Sequence, residues 1–338
     1  MLFLVTAALA SETSFHAAGY GFAGLDVPVD GDPAAFTSVG FNPIFLWREG
    51  DRILVESELA FGEGEEGLEV MLEYATLDVE VGGGVLSAGK FLFPGGQFVS
   101  RLHPSWINKL PDFPLPYRVG ALPMAHVGLM GQRAFHVGPR QKLALTAWVD
   151  NGLTVGMNGP SLGAQVGDQD WDKGVGGRLG VFVLPELELG ASVYTAGYEE
   201  GRYLLSIGDA ALTNGDLDLR GEYVDARWDE GSFQGAWVTA AWRLHRLERL
   251  SWLEPVARVG LATGDVPGGA PMEMNGVQVL PLSAGHGSAD ITLGEDPIYE
   301  ICAGASAYLR ENVALRGAYV HHAESWAPTV RLSLAFGY

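Results

Sequence analysis

The ionisable residues of this chain follow no catalytic spacing. There is no GxSxG elbow, no HExxH and no P-loop. His321 and His322 are adjacent, and successive strand residues point to opposite faces, so the two rings cannot share one metal ion. Cys302 is the single cysteine, which excludes a disulfide framework and a multi-cysteine metal centre. A hydrolase would need Ser and His brought together, and nothing in the sequence pairs His126 or His136 with a serine. Neither an enzymatic activity nor a cofactor is expected. What the charges do show is a distribution. Glu56, Glu58, Glu69 and Glu73 lie early in the chain. Arg178, Arg220, Arg243, Arg258, Arg310, Arg316 and Arg331 lie late, interleaved with Asp218, Glu222, Glu254 and Glu300. On facing walls of a water-filled channel, such charges set ion selectivity. The split implies either a transverse field across a channel or mutual salt bridging that keeps its wall solvated.

These charges need strands to hold them. In Pro328 to Tyr338, Val330, Leu332, Leu334, Phe336 and Tyr338 fall on one face, and Arg331, Ser333, Ala335 and Gly337 on the other. A bilayer-crossing strand takes about 9–11 residues and alternates lipid-facing with lumen-facing positions. An Arg on the lipid face near the midplane costs about 2–4 kcal/mol, so Arg331 must look inward. The same alternation sets Leu217, Leu219 and Tyr223 against Asp218, Arg220 and Glu222. It also sets Leu253, Ala257, Val259 and Leu261 against Glu254 and Arg258. A soluble sandwich with a solvated outer face would alternate in the same way.

Sixteen such segments are expected, near 14–25, 36–47, 52–61, 68–80, 85–93, 125–136, 142–150, 174–184, 187–197, 202–210, 216–228, 234–246, 252–263, 298–308, 313–322 and 328–338. In 85–93 the facing is ambiguous, because Lys90 shares parity with Leu86 and Leu92. Every second connection is short, and three of the others are long: 94–124, 151–173 and 264–297. Sorting by parity is expected of an outer-membrane barrel with short periplasmic turns and longer external loops. Aromatics near strand ends, among them Phe45, Trp47, Tyr74, Phe91, Phe93, Trp148, Trp237, Trp242, Tyr319, Trp326, Phe336 and Tyr338, suggest interfacial girdles. The fold class read from this pattern is all-β, a closed transmembrane antiparallel β-barrel.

Composition agrees. Of the 338 residues, 47% are apolar and 18% charged, yet no apolar run reaches the ~18 residues of a membrane helix. The 47 glycines, about twice the usual share, suit turns and crowded sheet faces. A net charge of −20 argues against nucleic-acid binding and fits acidic external loops beside lipopolysaccharide. Met1 to Ala10, ending Ala8-Leu9-Ala10, reads as the remnant of a secretory signal peptide, leaving 11–338 as one barrel domain.

The segment Gly89 to Tyr117, GKFLFPGGQFVSRLHPSWINKLPDFPLPY, stands apart. Five prolines forbid long regular structure, while Phe98, Leu102, Trp106, Ile107, Leu110, Phe113 and Leu115 demand a packing surface. A loop (94–124) packed inside a barrel would satisfy them and turn Arg101, His103, Asn108, Lys109 and Asp112 toward the pore. A lid on the outer rim would satisfy them too.

The core of that segment, HPSWINKLPDFPL, resembles the loop after the fifth strand in bacterial porins of the phosphate-selective porin O and P superfamily. Trp148-Val149-Asp150-Asn151-Gly152 resembles a strand end of the same group. The resemblance implies a sixteen-stranded, homotrimeric diffusion channel of the outer membrane whose third loop narrows the pore. Arg101 and Lys109 are the only basic side chains in 94–117 besides His103, so the stacked basic cluster of that family's phosphate site has no counterpart here. The function expected is passive passage of small hydrophilic solutes or ions. The residues expected to line the lumen are Glu56, Glu58, Glu69, Glu73, Arg178, Arg220, Glu222, Arg243, Glu254, Arg258, Glu300, Arg316 and Arg331. A plugged barrel serving as a binding or scaffold protein is the alternative.

Overall fold

The computed structural model describes residues 13–64, 67–102, 104–119, 122–156, 159–161, 171–198, 201–229, 231–245, 249–265, 273–274, 277–278, 297–322 and 328–338. The proposed signal remnant, His103 and Trp326 lie outside the described residues. Sixteen strands form one closed barrel, each antiparallel to the next in sequence. They are β1 (Thr13–Pro28), β2 (Ala35–Glu49), β3 (Ile53–Gly64), β4 (Gly67–Val81), β5 (Gly84–Leu92), β6 (Ala125–His136), β7 (Lys142–Asp150) and β8 (Gly174–Leu184). There follow β9 (Leu187–Tyr198), β10 (Gly201–Asn214), β11 (Leu217–Trp228), β12 (Gly231–Trp242), β13 (Trp252–Asp265), β14 (Ile298–Arg310), β15 (Val313–His322) and β16 (Thr329–Gly337). The last strand closes on the first, from Tyr20 opposite Gly337 to Pro28 opposite Thr329. Every strand read from the sequence is present. The barrel sheet closes on itself without an open edge, as a lipid-exposed sheet requires.

Faces follow the alternation. Leu332, Leu334 and Phe336 are 44%, 38% and 40% exposed on the outside, while the Arg331 side chain is 11% exposed on the inside. Tyr223, Val193, Val259 and Ile301 make matching outward rows on β11, β9, β13 and β14. Among the described residues no helix is long and apolar enough to cross a membrane; the crossing is made by strands. The ambiguity in β5 resolves outward: Lys90 sits opposite Ala75, in the row of Leu86, and its ammonium bonds the Leu72 carbonyl. A register shift at Glu58/Leu59 lies beside it and puts an extra residue into β4.

One sequence expectation needs correction. Phe91, Phe93, Trp148 and Trp237 are no more than 3% exposed and join the interior cluster, so they do not belong to an outer girdle. Tyr74 also points inward, its hydroxyl on Glu56. Parity, not closeness to a strand end, decides an aromatic's face. Outward rings do gather at the short-turn end, where Phe41 stacks on Tyr338 at 5.6 Å and Phe15 on Phe45 at 6.3 Å.

Candidate pore and its constriction loop

The chain between β5 and β6 turns into the barrel. Gly96 has φ +67°, and a Cβ there would stand 2.8 Å from Glu222 Oε1. Only glycine lets the backbone swing over at this distance. Gly96 N–H donates to Ser192 Oγ at 3.2 Å, and Gln97 Nε2 to Asp209 Oδ1 at 2.7 Å. Glu222 then takes four donors: Gln97 N–H, Phe98 N–H at 2.7 Å, the Tyr117 hydroxyl and Trp237 Nε1 at 3.1 Å. The four donors satisfy the buried carboxylate, and through them it fixes both ends of the loop at once.

The loop continues across the inner wall. Arg101 grips Glu188 through two bonds, at 2.5 and 3.0 Å. Arg316 on β15 donates to the carbonyls of Ser105 and Trp106 at 2.5 and 2.7 Å. Lys109 pairs with Glu254 at 2.7 Å, and its carbonyl accepts from Ser306 Oγ at 2.7 Å. Asp112 receives Arg118 Nη1 at 2.9 Å and Arg331 Nη1, while its own carbonyl takes Arg258 Nη1 at 2.8 Å and Asn108 Nδ2 at 2.9 Å. Arg118, in the single turn α1 (Leu115–Arg118), also binds Glu300, which Arg258 holds from the other side at 3.1 Å. Burial pulls the Arg118 guanidinium down to about 10, with Asp112 beside it opposing the fall, so it stays cationic at neutral pH.

Apolar packing matches these polar anchors. Phe98, Val99, Phe113, Leu115, Tyr117, Val119 and Leu122 are buried against Tyr203, Leu205, Val224, Phe233 and Trp237 of β10–β12. Phe98 meets Phe113 edge-on at 5.0 Å and Tyr117 at 4.7 Å. This is a hydrophobic core between a loop and the inside of its own barrel. A cavity of about 30 Å³ remains beneath the loop, lined by Phe98, Leu102, Lys109, Asp218, Arg220 and Trp237. It has room for a water or two, not for a path.

The facing wall is different. On β3 and β4 the inner row carries Glu56, Glu58, Glu69, Glu73 and Asp78. Glu58 is buried and accepts from Tyr20 at 2.7 Å and Asn42 at 3.0 Å. Glu56 accepts from the Tyr74 hydroxyl at 2.8 Å. Glu73 is 7% exposed.

The sequence expectation and the structure meet on faces and part on exposure. Arg178, Arg220, Glu222, Arg243, Glu254, Arg258, Glu300, Arg316 and Arg331 all sit on the inner face. Glu222, Glu254, Arg258, Glu300 and Arg316 are nonetheless no more than 4% exposed, because the loop covers them. Arg178 is spent on Glu188 at 3.1 Å and Asp209 at 2.7 Å, and Arg220 on Asp218 at 2.6 Å. Arg243 keeps a side chain 39% exposed, 3.8 Å from Glu254 and over the Trp252 ring. On the loop, Asp112 is fully buried and Lys109 is 17% exposed, so both look at the wall; Arg101 is 38% exposed. The sequence reading missed Gln97, Tyr117, Arg118 and Asp209. Pro94-Gly95-Gly96-Gln97 carried a usable signal, since paired glycines after a strand mark a close backbone approach.

No family model matches the chain, and no curated protein resembles it in sequence. Solved structures do match in shape. OmpF of Salmonella typhi aligns with TM-score 0.63 at 12% identity, over 96% of this chain and 97% of the other. The fold is that of the bacterial outer-membrane porins. An anion-selective porin from Comamonas acidovorans aligns at TM-score 0.61 and 10% identity, over 97% and 100%. OmpT of Vibrio cholerae in a trimer form aligns at 0.56 and 10%, over 96% and 99%. The porin fold here is the architecture of an outer-membrane protein of Gram-negative bacteria.

Proposed function

We propose that this porin-fold barrel is a passive diffusion channel for small hydrophilic solutes or ions. The observation that carries it is the lopsided filling of the lumen. The loop is fixed flat against β9–β16 by the bonds described above, while the inner rows of β3 and β4 keep Glu56, Glu69 and Asp78. A fixed loop narrows a bore without a moving part, and a polar wall lowers the cost of carrying water and ions through hydrocarbon. No catalysis is needed. The constriction is assigned to the loop as a whole: Lys109 and Asp112 hold it to the wall, Asn108 braces it through the Asp112 carbonyl, Arg101 is its most exposed charge among the described residues, and the β3–β4 carboxylates line the wall it leaves open.

Membership of the phosphate-selective porin O and P superfamily is supported by HPSWINKLPDFPL and by Trp148 to Gly152. A homotrimer is supported by the trimer form of the OmpT barrel, and contact with lipid and lipopolysaccharide by the apolar outer rows and acidic net charge. Purified protein in planar bilayers tests the reading: stable, stepwise conductance is expected. Absence of conductance from folded, heat-modifiable protein would favour the plugged barrel that acts by binding.

A further inference from the structure

Charge pairing inside the barrel is one-sided. On β8–β16 the arginines are matched by carboxylates of the wall or the loop: Arg178 by Glu188 and Asp209, Arg258 by Glu300, Arg331 by Asp26 and Asp112. Arg316 is absorbed by backbone carbonyls. The loop's cations go the same way, Lys109 to Glu254, Arg118 to Asp112 and Glu300, and Arg101 to Glu188. This half therefore presents little net charge to the bore.

The other half has no such balance. Residues 53–89 contain nine Asp and Glu and no Lys, Arg or His. On β1–β7 the inner row has two Lys or Arg among the described residues, Arg48 and Lys142, and both lie at the short-turn rim; His126 is buried beside Asp150. Lys90, the basic residue nearest the acids, is in the outward row. Glu56, Glu69 and Asp78 are partly exposed and have no ion pair among the described residues. A second observation points the same way. Asn42 is fully buried and gives its N–H groups to Tyr20 at 3.1 Å and Glu58 at 3.0 Å, leaving Oδ1 without a donor. Asp78 Oδ1 is likewise without one. On β2–β4 both of these leftover atoms are acceptors.

We infer that the channel selects cations over anions, and that Glu56, Glu69 and Asp78 set the preference. The inference rests on the pore reading above. It describes a field along the bore, not a coordination site, and among the described residues no cluster of three or more ligands could hold a metal ion. A transverse field needs two charged walls; here the loop has neutralised one of them. Unpaired charges on the wall of a bore act on the ions that pass within a Debye length of them.

The test is the reversal potential of the full-length protein in a planar bilayer under an about tenfold KCl gradient. Wild type is expected to favour K⁺ over Cl⁻ severalfold, with the reversal potential on the potassium side. Glu56→Gln/Glu69→Gln/Asp78→Asn should bring the ratio close to unity at unchanged heat-modifiable mobility. Should the triple variant not fold, Glu69→Gln alone should lower the ratio. Arg243→Gln should not lower it. A wild-type potential at zero or on the chloride side overturns the inference while leaving the pore in place. So does a folded triple variant with wild-type selectivity. Folded protein that never conducts overturns both.

Discussion

On β13 and β14, Glu254, Arg258 and Glu300 are sealed under a loop and paired; on β3 and β4, Glu56 and Glu69 are open and face no cation. The strands that carry them alternate alike. The difference comes from what lies on top. A segment rich in proline and aromatic residues needs a surface to pack on, and β9–β13 supply it with Tyr203, Phe233 and Trp237. Where the loop lands, each wall charge must find a partner, because an unpaired buried charge is costly. Where it does not land, water does the solvating, and charges stay available to a passing ion.

The largest effect that would break this contrast is loss of the Glu222 anchor. Glu222→Ala strands four donors, two of them loop backbone, and should weaken loop attachment by about 3–5 kcal/mol. Single-channel conductance is expected to rise and fluctuate as the loop leaves its wall. Next comes the outer face. Leu332→Arg puts beside Arg331 a second arginine with no inward option, and should cost about 2–4 kcal/mol, read as a lower unfolding midpoint in urea with lipid vesicles. Gly96→Ala is smaller. It forces φ +67° on a residue with a Cβ that meets Glu222, a strain of about 1–3 kcal/mol, seen as a partial copy of the Glu222→Ala conductance. Arg101→Gln sits at the bottom. Its side chain is 38% exposed, so losing the Glu188 pair should cost at most about 1 kcal/mol, with heat stability nearly unchanged.

The period of two made the barrel legible. Arg331 had to face inward, and parity then placed Glu222, Glu254, Arg258 and Glu300 on the same side. The alternating segments set the strand count, and the short and long connections agreed with it. What parity does not encode is coverage. Arg258 and Glu69 read alike in sequence, each a charge between two apolar neighbours, yet one is under a loop and the other beside the bore. That depends on contacts between residues more than a hundred positions apart, such as Phe98 with Trp237 or Lys109 with Glu254. Aromatics misled for a related reason: Phe93 and Trp148 lie at strand ends as girdle residues do, but on the inward row.

Where the loop lies is the claim on which all of this depends, and a disulfide measures it. With Cys302→Ala removing the native thiol, Lys109→Cys/Ser306→Cys joins positions whose atoms already touch across loop and late wall. Lys109→Cys/Glu56→Cys sets the same loop position against the early wall. The account predicts rapid oxidative cross-linking of the first pair in folded protein and none of the second. Cross-linking of the second pair, with the first left reduced, would contradict it.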